Sequence, residues 1–158
     1  MAAWCVQLQQ NLRVCSHQSA DKWNKRLLGL GSPDSYWSFP YAALSSTGLN
    51  NSFATFAVAA SPGDKGEDAI ADLGGRALHR ALEVSRALTK KYYGRWKGVR
   101  SYYAGVEMGA TAGLRSAQGS PGDFDGIVSF AARAREAGEN VDEGLITAHR
   151  STGARLCG

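Results

Sequence analysis

A chain of 158 residues, 44% apolar and 20% charged, has the make-up of one folded domain and is too apolar to remain disordered. Eighteen Lys and Arg against fourteen Asp and Glu leave a net charge of +4, too small and too dispersed to argue for nucleic acid as a partner. No stretch approaches the roughly 20 apolar residues of a membrane span, so no membrane is expected, and oligomeric state is not encoded.

The first twenty residues are polar and weakly patterned and read as a loose lead-in. Met1 to Val6 has no basic lead and runs into Gln7, Gln9, Gln10 and Asn11, so no secretory leader is expected at this start. Cys5, Cys15 and Cys157 have no C-x-x-C spacing and no clustered histidines, which speaks against a metal site or a redox motif. A Cys5–Cys15 disulfide and free thiols both stay open, with free thiols as the default.

Order begins near Trp23. Arg26-Leu27-Leu28-Gly29-Leu30-Gly31, closed by Ser32-Pro33-Asp34-Ser35, has the pattern of a buried strand ending in a turn. A second short strand is expected over Tyr41–Thr47, stopping at Gly48. Ser61-Pro62-Gly63-Asp64 then introduces a long helix, in which Ile70, Leu73, Ala77, Ala81, Val84, Leu88 and Tyr92 recur every three or four residues. Glu67, Asp68 and Asp72 open this helix, Lys90 and Lys91 close it, and Gly94 stops it, so charge and cap agree on its direction. Gly74 and Gly75 inside it cost about 1 kcal/mol each in helix propensity, which close packing against a sheet would offset. Lys90, Lys91, Arg95 and Lys97 read as cations favoured at a helix end rather than as a phosphate site.

Val99–Ala104 is rich in β-formers and runs straight into Gly105. Gly109–Gly113 with Leu114 and Ala117 reads as a closely packed helix, Ser120-Pro121-Gly122-Asp123 as its end, and Ile127–Phe130 as one more buried strand. Strands alternating with helices predict the α/β class, a mostly parallel sheet with crossover helices. Beyond Ala131 the pattern weakens. The expected organisation is a lead-in over 1–20, a core over 21–132 and a weakly structured tail over 133–158.

The informative segment is Tyr102 to Ala110, in which a strand, a G-x-X-x-G turn and a helix start follow one another. That context is the one a nucleophile elbow requires. Its central residue, Glu107, is expected at a strained backbone angle, with Gly105 and Gly109 small because neighbouring backbone passes close by. Met108, directly after the apex, offers a backbone N–H of the kind that forms half of an oxyanion hole.

Arg100 to Ser129 resembles the tannase and feruloyl esterase family, whose strand reads Tyr-Tyr-x-Gly-Cys-Ser-x-Gly-Gly-x-x-Gly-Leu before a helix and Asp-Phe-Asp-Gly-Ile. Tyr102-Tyr103, Gly105, Gly109, Gly113-Leu114 and Asp123-Phe124-Asp125-Gly126-Ile127 match in order and spacing. The similarity runs back through Lys91-Tyr92-Tyr93-Gly94 and more loosely through Trp23–Leu28 and Ala43–Gly48, about two thirds of the chain. It implies an α/β-hydrolase fold in partial form, with the lid, its calcium site and the strands bearing a catalytic Asp and His missing. It further implies a carboxylic ester hydrolase acting on gallate or ferulate type esters, a small aromatic ester as partner, no cofactor and no metal within this stretch. The family is typically secreted.

The departures carry as much weight as the matches. The family's Cys-Ser is Val106-Glu107 here, which removes the serine nucleophile and a disulfide-forming cysteine together. The glycine-rich oxyanion loop corresponds to Gly29-Leu30-Gly31-Ser32-Pro33, and Pro33 has no N–H to donate. Three readings follow: an inactive relative, an active hydrolase using Glu107 as a covalent carboxylate nucleophile, and a non-enzymatic binding protein. Of the histidines, His79 is expected to be structural, and His149 is followed by Arg150 rather than by the family's cysteine; His17 belongs to the lead-in. Asp125 is expected to order the turn before its strand, Asp142 and Glu143 to sit in a solvated loop, and Trp23, Trp37 and Trp96 to serve packing.

Overall fold

Buried strands need partners for every backbone amide and carbonyl, and this chain finds them in one sheet. The computed structural model describes residues 3–8, 12–17, 20–31, 48–58, 76–94, 97–132, 135–136, 139–140, 145–149 and 155–157. The strands are β1 (Ala3–Leu8), β2 (Leu12–His17), β3 (Arg26–Gly31), β4 (Ala54–Val58), β5 (Arg100–Val106), β6 (Gly126–Phe130), β7 (Arg135–Glu136), β8 (Glu139–Asn140), β9 (Leu145–His149) and β10 (Arg155–Cys157). Helix α1 spans Ala77–Tyr93 and α2 spans Met108–Gly119. The main sheet has the order β1-β2-β4-β3-β5-β6-β9-β10, while β7 and β8 pair by themselves.

The centre of the sheet is parallel: β3 pairs with β4 and with β5, and β5 with β6. Both outer parts are antiparallel, β1–β2–β4 on one side and β6–β9–β10 on the other. Parallel strands of one sheet need a crossover, and α1 supplies the one from β4 past β3 to β5 and α2 the one from β5 to its neighbour β6. Both helices lie over one sheet face, where Leu78, Ala81, Leu82 and Tyr93 of α1 join Leu27, Phe56, Tyr103, Phe124 and Ile127 in the larger core cluster. Trp23 stacks on Tyr93 with centroids 4.1 Å apart and donates its indole N–H to the Arg26 carbonyl, so it packs as expected. On the opposite face Leu28, Leu30 and Ala57 form a second, smaller cluster with Phe53, Tyr102 and Ala104 against it.

Two expectations change and one strand is added. Residues 3–8 and 12–17 are paired antiparallel strands rather than a loose lead-in, because β2 bonds to β4 and buries Val14 completely; a short antiparallel edge tolerates the polar residues that obscured it. The strand beside β3 is Ala54–Val58, of which Ala54, Thr55, Phe56 and Ala57 are buried, whereas Tyr41–Thr47 lies outside the described residues. The tail contributes β9 and β10 to the sheet, since Leu145-Ile146-Thr147 are strong β-formers and the open edge of β6 offers unpaired backbone groups. The helix is seen from Ala77 to Tyr93, its Gly94 cap at φ 66°, while 61–75 falls outside the described residues. No helix among the described residues is long and apolar enough to cross a membrane.

Candidate active site at the strand–helix elbow

The chain must reverse from β5 into α2 within one residue, and Glu107 is that residue. Its backbone sits at φ 50°, ψ −106°, a region that L-residues rarely occupy. The Glu107 N–H donates to the Phe130 carbonyl at 2.9 Å, so the apex extends the ladder between β5 and β6. The Glu107 carbonyl turns into α2, where it accepts from the Thr111 N–H at 3.0 Å and from the Thr111 hydroxyl at 3.2 Å. The residue is half-buried, and the strained angle presents it at the carboxyl end of the central strands.

Close backbone packing explains the glycines on either side. A Cβ placed on Gly109 would lie 2.5 Å from the Gly31 carbonyl carbon and 2.7 Å from its Cα, closer than real Cβ atoms come. One placed on Gly105 would come within 2.7 Å of the Ala110 amide nitrogen. The end of β3, the end of β5 and the first turn of α2 therefore meet backbone to backbone. Two side chains beneath hold the turn: the Tyr103 hydroxyl donates to the Gly109 carbonyl at 2.9 Å, and the Ser129 hydroxyl to the Ala110 carbonyl at 3.1 Å. Burial pushes the Tyr103 hydroxyl up from its ordinary pKa, so it stays a donor.

An elbow of this shape, on the third central strand of a sheet with this order, is the nucleophile position of an α/β-hydrolase. The family model described as tannase and feruloyl esterase matches residues 19–153. The chain belongs to the tannase and feruloyl esterase family. A protein named probable feruloyl esterase B-2 from Aspergillus flavus is 33% identical over 116 residues, which is 68% of this chain and 22% of that protein. Among solved structures, an esterase from Aspergillus oryzae superimposes with a TM-score of 0.60 at 26% identity, over 82% of this chain and 27% of its own. A tannin acyl hydrolase from Aspergillus niger shares the fold, with a TM-score of 0.67 at 15% identity and the same coverage. The chain thus spans about a quarter of the length of these relatives and carries a partial α/β-hydrolase fold.

The site residues expected from the family pattern come together here: Gly105, Glu107, Met108 and Gly109 occupy the elbow in order. Ser32 and Pro33, in the segment expected from the resemblance to correspond to the oxyanion loop, lie outside the described residues, as do Asp142 and Glu143. His149 stands in β9 with its backbone opposite Gly126, at the far end of β6 from the elbow. His17 closes β2, opposite Ala3. Among the described residues no group of three His, Cys, Asp or Glu could hold a metal ion.

His79 takes a part that sequence reasoning left without a partner. Its Nδ1 lies 2.9 and 2.8 Å from the two carboxylate oxygens of buried Asp123, and its Nε2 lies 3.7 Å from Glu83. Arg86 donates to the Asp123 carbonyl and to the Ser101 hydroxyl. Asp125 orders its turn as expected, its carboxylate accepting the Ser101 N–H at 2.8 Å while its own N–H donates to the Ser101 carbonyl at 2.7 Å. This cluster sits where β5 begins, the opposite end from Glu107. The 44-residue separation of His79 and Asp123 left no local signal by which they could be paired.

Proposed function

We propose that this chain is a diverged ester-hydrolase unit that retains the elbow of the aromatic-ester hydrolases and lacks their serine-type turnover. The observation that carries the reading is a glutamate at φ 50°, ψ −106° on the apex. Serine acyl transfer needs an oxygen that a nearby base can deprotonate and that becomes the ester oxygen of an acyl-enzyme. A carboxylate attacking the same carbonyl carbon would give an anhydride, a poor intermediate beside an ordinary ester. The substrate class, gallate or ferulate type esters, rests on the family and on the relatives' names.

A second reading is favoured by the strain itself. A strained non-glycine apex persists where it serves a function, and a carboxylate held there can attack the alkyl carbon of an ester, forming an alkyl ester of Glu107 as the alkyl C–O bond breaks and the substrate's carboxylate leaves, with water later cleaving the enzyme ester. A non-enzymatic aromatic-ester binder is the third. Purified chain and its Glu107→Ala and Glu107→Ser variants, offered methyl ferulate, methyl gallate and a chromogenic short-chain ester, separate them. No turnover above the Glu107→Ala background is expected. Hydrolysis by the unmodified chain that Glu107→Ala abolishes would overturn the inactive reading, and a stable mass increment on Glu107 would select the covalent one. A rise in melting temperature with methyl ferulate, without turnover, would select the binder.

A further inference from the structure

The paired strands at the edge of the sheet put two cysteines at directly opposite register positions. In the register of β1 and β2 Cys5 is the direct partner of Cys15, with Trp4 opposite Ser16 and Val6 opposite Val14. On its other side β2 is held by β4, with Cys15 opposite Thr55, so the register is fixed from both flanks of β2. Directly opposed residues in an antiparallel pair have Cα atoms about 4.5 or 5.5 Å apart, depending on which kind of pair they form. Both separations fall inside the roughly 4.4–6.8 Å window that a disulfide accepts. Cys157 lies on β10, seven strand positions from β1 and six from β2 in the sheet order. At about 4.8 Å per strand that is about 30 Å from either, out of bonding reach within one molecule.

We propose that Cys5 and Cys15 form a disulfide that staples the β1–β2 pair, leaving Cys157 as the free thiol. With glutathione disulfide as oxidant, one cysteine thiolate attacks a glutathione sulfur and releases one glutathione thiolate. The second cysteine then displaces the other glutathione, so two protons and two electrons leave the protein for two reduced glutathiones. The staple secures β1, an edge strand of the sheet with one neighbour to hold it. The match to the family model begins at residue 19, beyond these two strands.

The test holds the full chain in oxidised or reduced glutathione, quenches with iodoacetamide and reads the mass. Trypsin cuts after Arg13 and Lys22, so a disulfide links peptide 1–13 to peptide 14–22. Expected in oxidised glutathione are one alkylated thiol, on Cys157, and that linked pair; reduced glutathione gives three alkylated thiols. The melting temperature should fall by roughly 5 °C on reduction, and Cys5→Ser should show no such redox dependence. Three alkylated thiols under oxidising conditions, glutathione carried separately on Cys5 and Cys15, or a monomer linking Cys157 to either one would each overturn the proposal.

Discussion

The two ends of β5 are built on different principles. Where the strand begins, Ser101 is surrounded by side-chain chemistry: the Asp125 carboxylate, the Arg86 guanidinium and, through Asp123, the His79 ring. Where it finishes, the turn is held by backbone, by Gly31, Gly105 and Gly109 in contact and by two hydroxyls donating to carbonyls of α2. Nothing in that second construction uses the side chain at the apex. The shape of the elbow is thus separable from the identity of residue 107.

Breaking the backbone contact should have the largest effect. Gly109→Val puts branched atoms where even a Cβ meets Gly31, and is expected to cost about 3 kcal/mol or more, read as loss of the folded chain in urea unfolding. Asp123→Ala removes a buried carboxylate from His79 and should cost about 2 kcal/mol by the same measurement, while leaving the elbow unchanged. An equal or larger loss for Asp123→Ala would reverse the ranking of the two ends.

Tyr103→Phe deletes the hydrogen bond to Gly109 and should cost about 1 kcal/mol near neutral pH. Because burial raises the Tyr103 pKa in the folded chain, its contribution is complete below the ordinary tyrosine value of 10.0 and is lost as pH rises beyond it. Melting temperatures at pH 8 and 10.5 should therefore fall less in Tyr103→Phe than in the parent. A change of similar size and opposite sign is Glu107→Gly, which relieves an angle that glycine adopts freely and should stabilise by about 1 kcal/mol. Destabilisation instead would show that the carboxylate supports the turn after all.

What the sequence disclosed follows the same division. The elbow was legible because it is local: a strand of β-formers, glycines at two fixed offsets and a run of small residues lie within Val99–Ala117. The strands Arg26–Gly31 and Ile127–Phe130 were legible as short apolar runs bounded by turns. The β1–β2 pair was not, because Gln7, Arg13 and Ser16 dilute a pattern whose stabilisation comes from pairing with β4, a strand more than 35 residues away. Phe53–Val58 carried a usable signal, an apolar run between Asn50-Asn51 and Ser61-Pro62, which the nearer run at Tyr41–Thr47 masked. No local rule could connect His79 with Asp123, since only the crossover of α1 above the sheet makes them neighbours.

The bond from the Glu107 amide to the Phe130 carbonyl couples the apex mechanically to the strand beside it. A tilt of β6, or a push transmitted through its seam with β9, would carry the carboxylate along with it, so the outer rim of the sheet has leverage over the bend without touching it.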